Sequence, residues 1–289
     1  ITINLTGETF SPSTTGEVFP IRMISNVNLI GQGEESTILD AEQTDRVIKM
    51  VDCQNNIISN LTITGGVAQG EYPDYWGGGM YLDRSDPILT NVTISENTAI
   101  WTGGGMDLHY SNPTLTHVTI SENTASWGGG IYLNQVNADM TNVIIANCQA
   151  DSGSAIFVEN VTLNISNCTF YADFEYMMSQ IDFLNGYGNT LLVYQQDNTI
   201  NISNSIFFGF DSNWDGYGSI YEGDYYGYTQ NSIVEVSYSL FSYGPDGAGN
   251  IDGDPLFCDP ENGDYSLAEN SPAVGSGEAG VNMGALGVG

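Results

Sequence analysis

The stretch "DSNWDGYGSIYE", Asp211 to Glu222, reads D-x-N-x-D-G-x-x-x-x-x-E, the ligand spacing of a twelve-residue calcium loop. Asp211, Asn213, Asp215 and Glu222 take the first, third, fifth and twelfth positions of a calcium-loop pattern, with Gly216 at the sharp turn and the Tyr217 carbonyl as a further oxygen donor. No helical periodicity flanks the stretch, which excludes an EF-hand with its two helices. Gly218 stands where such a loop carries an apolar side chain, and Ser219-Ile220-Tyr221 reads as a short strand that would carry Glu222 away. Calcium held by Asp211, Asn213 and Asp215, with Glu222 as the weakest ligand, is weighed against a plain acidic turn.

Two other groups of residues have chemical potential. In the repeat described below, Met50, Tyr81, Asp107, Tyr132 and Phe157 align in one outward column, beside a column of Asp52, Asp83, His109 and Asn134. Asp83, Arg84, Asp107 and His109 would then cluster on one face. A glycoside hydrolase needs paired carboxylates there, and a calcium-dependent lyase needs acidic ligands with a basic residue. The competing readings are a surface ion pair of Arg84 with Asp83 and Asp86, and a solvated sheet. The aromatics form the third group. Trp76, Trp101 and Trp127 each sit at or next to a GGG triplet, so they are expected to line one edge. Tyr221, Tyr225 and Tyr226 lie in an acidic-aromatic segment nearby. Such rings can stack on the apolar faces of sugars, or simply cap glycine turns.

The elements that carry these residues come from self-similarity. "GGGMYLDRSDPILTNVTISENTA" from Gly77 recurs as "GGGMDLHYSNPTLTHVTISENTA" from Gly103 and "GGGIYLNQVNADMTNVIIANCQA" from Gly128, at offsets of 26 and 25 residues. An earlier copy from Val51 aligns with Leu82 at an offset of 31, and shorter copies follow from Leu163, Ile200 and Val234. Each copy holds short alternating runs such as Val92-Thr93-Ile94-Ser95, punctuated by Asn, Gly and Asp. Short strands recurring at this period without intervening helices predict an all-β, right-handed parallel β-helix of about 10–12 coils. Asn60, Asn91, His117 and Asn142 share one turn column, where stacked amides satisfy one another and His117 substitutes for a rung. A second column is read as Asn97, Asn123, Cys148, Cys168, Ser205 and Ser239. It makes Cys148 and Cys168 neighbours, either bonded or, preferably, two small buried side chains.

Composition narrows the partners. Asp and Glu number 35 against four Lys and Arg, a net charge of −31. That field repels nucleic acid and anionic membranes, and favours cations, neutral glycans or a basic protein surface. No apolar run is long enough for a membrane-spanning helix, and "ITINLTGETF" lacks the basic and apolar regions of a signal peptide. The sequence reads as a mature chain forming one domain over 1–289. Entry coils span 1–46, regular repeats 47–170, coils with long excursions 171–250 and closing coils 251–289.

The GGG units resemble the repeats of secreted bacterial right-handed parallel β-helix proteins, of the polymorphic outer-membrane-protein and pectate-lyase types. The stretch from Tyr238 to Gly287 resembles the closing coils of such proteins, except that Gly275 and Asn282 stand where Asp is common. The resemblance implies secretion to the extracellular space or cell surface. It also brings polysaccharide lyases and glycoside hydrolases into view, although the Asp-rich, His-Gly and Arg-x-Lys signatures of polygalacturonase-like enzymes are missing. The resulting expectation is a non-catalytic, adhesive, glycan- or partner-binding β-helix able to stack end to end into filaments. A polysaccharide-degrading enzyme is the alternative.

Overall fold

The computed structural model describes residues 1–72, 74–172, 191–194, 197–209, 220–222, 232–242 and 246–289. Among these residues, every strand pairing is parallel except one hairpin near the C-terminus. One sheet of 16 strands and another of eight run along the solenoid. This is the parallel β-helix expected from the repeat.

The coil that starts at Met80 shows how the residues build it. A four-residue strand, Met80–Asp83, turns a corner into the eight-residue strand Ile88–Ser95, which bends at its fourth residue. The chain then turns at Glu96 and returns through Thr98–Ala99 to a glycine turn. Arg84, Asn91, Glu96 and Gly103 hold left-handed backbone at the four bends, with φ of 48°, 52°, 56° and 64°. Asn tolerates this conformation through its short polar side chain, which accounts for its recurrence at the bends. Between bends, side chains alternate: Leu89, Val92 and Ile94 are fully buried while their neighbours face outward.

The triplet beginning at Gly103 has two separate causes. Gly103 takes the left-handed turn, whereas Gly104 lies where neighbouring backbone closes in. A Cβ on Gly104 would sit 2.5 Å from the Gly129 carbonyl oxygen and 2.6 Å from the Thr124 backbone. No side chain fits between coils at that point.

Stacked polar side chains close the corners. On the outside, Asn91 Nδ2 donates to Asn60 Oδ1 at 3.1 Å, and Asn142 contacts His117 Nε2 at 3.2 Å, so His117 does serve as a rung. Inside, Asn97 and Asn123 are fully buried. Asn123 Oδ1 accepts from the Asn97 backbone N–H at 2.9 Å, and Asn123 Nδ2 donates to the Ile94 carbonyl at 2.8 Å. Asn123→Ala strands both groups without water, and is expected to cost about 1–3 kcal/mol in a thermal or urea unfolding experiment.

The two cysteines correct the expected column. Ser121 pairs with Ala146, which puts Cys148 beside Asn123. Thr169 pairs with Ile144, which puts Cys168 beside Val143, on the column that continues through Ser205 and Ser239. Cys148 and Cys168 therefore occupy different corners and are both free thiols. Each follows a left-handed Asn, Asn147 or Asn167, and the same local motif serves both corners. Burial pushes both thiols up to about 12, so they stay protonated and inert.

The core is one continuous apolar column from Phe19 to Phe241. In its later coils Phe170, Phe207 and Phe241 stack with centroids 4.4 and 5.0 Å apart and planes within 11°. After Ile251–Asp252 the chain folds into the antiparallel hairpin Phe257–Asp259 with Asp264–Leu267. The tail runs back along the flank, where Gly284 N–H donates to the Asn204 carbonyl at 2.7 Å and Ala285 N–H to Thr169 Oγ1 at 3.0 Å. No helix among the described residues is long and apolar enough to cross a membrane.

Candidate functional site

The eight-stranded sheet carries the side chains singled out above. Tyr81, Asp107, Tyr132 and Phe157 do align, as do Asp83, His109 and Asn134. Their partners on the preceding coil are Lys49 and Val51, not Met50 and Asp52. The repeat spans 32 residues at this sheet but 31 at the long strand, where Ile57 pairs with Ile88. A single offset taken from the long strand therefore misplaces this column by one residue, and Met50 points into the core with 0% exposure.

Although these side chains point away from the solenoid interior, they are covered. Asp107 is 0% exposed, Tyr81 5% and Tyr132 6%. Part of the cover comes from the described residues between Ala68 and Gly77, through Asp74 and Trp76, while Phe157 packs on Tyr132 at 5.3 Å. Eight positions separate Ala68 from Trp76, whereas three separate Ala99 from Thr102, their paired residues on the next coil. This insertion of five residues brings Asp74 and Trp76 onto the face. The Trp76 ring lies 4.8 Å from the His109 ring and 6.2 Å from Tyr81. Asp74 sits 3.6 Å from Arg46 Nη2 and 3.4 Å from Lys49 Nζ.

Beneath this cover, His109 Nε2 and Asp107 Oδ1 are 2.8 Å apart. The Arg46 guanidinium, 1% exposed, lies 5.1 Å from the Tyr81 ring centre. Burial raises the Asp107 carboxyl above its ordinary range, with His109 opposing. For His109, burial pushes the pKa down and the contact with Asp107 more than offsets it, so the net direction is up. Burial lowers Arg46, opposed by Asp74. Tyr132 donates to Glu159 Oε2 at 2.9 Å, as does Asn134 Nδ2. Thr102 is a further hydrogen-bonding neighbour of the Asp107 carboxyl, and the Trp76 Nε1 atom is buried.

Arg84 lies apart from this group. It contacts Asp52 at 2.6 Å and Asp83 at 2.9 Å and remains half-exposed. Asp86, the expected partner, instead accepts from the Asn112 backbone at 2.7 Å. The set Asp83, Arg84, Asp107 and His109 thus divides into an exposed ion pair and a covered dyad.

The tryptophans do not form a single row. Trp76 and Trp127 share a column with Thr102 between them, and Trp101 comes from the preceding position. Trp76 turns onto His109. Trp101 and Trp127 pack together 5.0 Å apart and remain 46% and 36% exposed, and Trp127 stacks on Phe157 at 5.7 Å. Tyr72, at 72% exposure, lies between Ala68 and Trp76, and the Trp101 N–H donates to the Tyr75 carbonyl at 3.3 Å. Asp211, Asn213, Asp215 and Tyr217 lie outside the described residues, as do Tyr225 and Tyr226. The backbone of Ile220–Glu222 is a strand, as its residues suggested, but the side chains of Tyr221 and Glu222 are outside the described part.

The family model described as "right handed beta helix region" matches residues 34–235. The chain belongs to that family. In a comparison with curated proteins, none matches this β-helix. Sequence reasoning missed Arg46, Asp74 and Thr102 at the covered cluster. The signal was the 31-residue offset, longer than its neighbours by just the insertion. A separate cleft of about 430 Å³ lies between Tyr171, Phe208 and the C-terminal hairpin of the β-helix, with Asp254 and Asn270 on its rim.

Proposed function

We propose that the protein is a non-catalytic extracellular β-helix that binds neutral glycans through its aromatic flank. The exposed pair Trp101 and Trp127 carries this reading. Two indole faces fixed on a rigid sheet edge offer a platform for the C–H faces of pyranose rings, with little side-chain entropy to lose on binding. The net charge of −31 disfavours anionic ligands and leaves neutral sugars, with a basic protein surface as the competing partner.

The catalytic alternative has less support. Arg84 is engaged by two carboxylates, and Asp107 lacks the solvent access a general acid or base requires. Calcium at Asp211, Asn213 and Asp215, with Tyr217 and Glu222 as further donors, belongs to the same proposal as a staple for the Tyr221, Tyr225 and Tyr226 segment. End-to-end stacking is supported by the strand edge at Thr2–Asn4, whereas the hairpin and tail close the C-terminal side. Trp101→Ala is expected to weaken binding to the best ligand of a neutral-glycan array by about tenfold or more, read by calorimetry. Release of reducing or unsaturated ends from any array glycan would favour the enzyme instead.

A further inference from the structure

We infer that the cleft beside the C-terminal hairpin binds a small organic ammonium ion of the choline type, its trimethylammonium group held between three aromatic rings and the Asp254 carboxylate. The site is independent of the glycan-binding flank. Tyr171 and Phe208 are paired neighbours on successive coils, with their side chains on the outer face of the long sheet. Phe257, on the hairpin, packs against both at centroid distances of 6.0 and 6.3 Å. All three rings line the cleft of about 430 Å³, which lies within the size range of small-molecule sites.

The walls select the shape of the ligand. Phe257 is inclined at 79° to Tyr171 and 82° to Phe208, so no flat ring can lie on all three. A rounded group with a diffuse positive charge can touch them together, drawn to the negative faces of the rings. Among the described residues the lining offers one carboxylate, Asp254, and one side-chain amide, Asn270. These are too few oxygens for a hard metal cation such as calcium, which takes about six or more. An alkylated ammonium needs no such shell, because its methyl groups are matched by apolar walls.

Charge and backbone agree. Asp254 Oδ1 accepts the Leu256 N–H at 2.8 Å, which fixes the carboxylate at the rim and takes one of its roughly four acceptor sites. Leu256, also in the lining, holds left-handed backbone with φ of 53°. A bulky aliphatic residue rarely adopts that conformation, and such departures gather at ligand sites. Asp252, Asp254, Asp259, Glu261, Asp264 and Glu269 make this part of the tail strongly acidic, whereas all four Lys and Arg lie at or before Arg84. The local field therefore attracts cations and rejects carboxylates and phosphates.

The test is calorimetric titration of the full chain, at low ionic strength, with choline and with the alcohol in which a tert-butyl carbon replaces the choline nitrogen. Choline should bind at least about tenfold more tightly than this uncharged isostere. Phe257→Leu should weaken choline about fivefold and the exposed Asp254→Asn about threefold, while Trp101→Ala leaves it unchanged. Co-sedimentation with phosphatidylcholine vesicles extends the ligand to a lipid headgroup; choline binding without it assigns the free ion. The isostere comparison needs only the wild type, so it decides even if Phe257→Leu does not fold. Equal affinity for choline and the isostere overturns the site, as does the absence of choline binding. Choline affinity lost in Trp101→Ala but kept in Phe257→Leu would place the cation on the exposed indoles and overturn the cleft as well.

Discussion

Replacing Phe207 by alanine should destabilise the protein by about 3–5 kcal/mol, the usual cost of emptying a buried phenylalanine site. Phe207 is fully buried and is the middle ring of the stack formed with Phe170 and Phe241. The rigid coils above and below keep their spacing through backbone bonds, so the cavity cannot collapse onto its walls. In a solenoid each coil is stabilised mainly by its neighbours. Loss of the central ring should therefore uncouple the C-terminal coils from the rest. Urea unfolding followed by fluorescence and by circular dichroism should show one transition in the wild type and two non-coincident transitions in Phe207→Ala. A single transition shifted by well under 1 kcal/mol would contradict this account.

His109→Ala should cost a comparable amount, for an electrostatic reason. It removes the partner of a carboxylate that is 0% exposed, and breaking a buried pair in this way costs about 3–5 kcal/mol. The pH dependence distinguishes this from simple loss of packing. His109 has a raised pKa when folded, so its stabilisation is complete below the unfolded imidazole value of about 6.5 and is lost as pH rises through the folded value. Asp107, also raised, adds a loss of the same sign above the unfolded carboxyl value of about 3.9. The other charges and phenols around the pair are Arg46, Asp83, Glu159, Tyr81 and Tyr132. The stability gap between wild type and His109→Ala, from urea titrations at about pH 5 to 9, should be widest at the acid end and narrow above about 6.5. A gap independent of pH would mean that the imidazole acts only as a filler.

The fold was legible because its signal repeats. Period-two alternation in Val92–Ser95 recurs at the same place in three aligned segments, and the left-handed bends select Asn at positions that line up by eye. What misled was the assumption of one offset per coil. Asn147-Cys148 and Asn167-Cys168 look alike because every corner of the coil uses the same local chemistry, so the motif identifies a corner without saying which one. The columns at Asp107 and His109 were readable, but their burial was not. It depends in part on Asp74 and Trp76, whose contacts with Arg46, Lys49 and His109 are unmarked by any period. Trp76, Trp101 and Trp127 were readable as one row, whereas only Trp101 and Trp127 pack together and the turn of Trp76 onto His109 followed from the same insertion.

That insertion also says something about how such a rod can change. Five residues enter after Ala68, yet Trp76 still pairs with Thr102 and Met80 with Met106, so the stacking is back in step within a few positions. Loop length at this corner is thus decoupled from the alignment of the strands, in keeping with the slow growth of closure entropy with loop length. The corner between Ala68 and Trp76 is a ready port for grafting. Foreign segments of varied length and composition could be displayed there beside Trp101 and Trp127, giving new surfaces from one unaltered core.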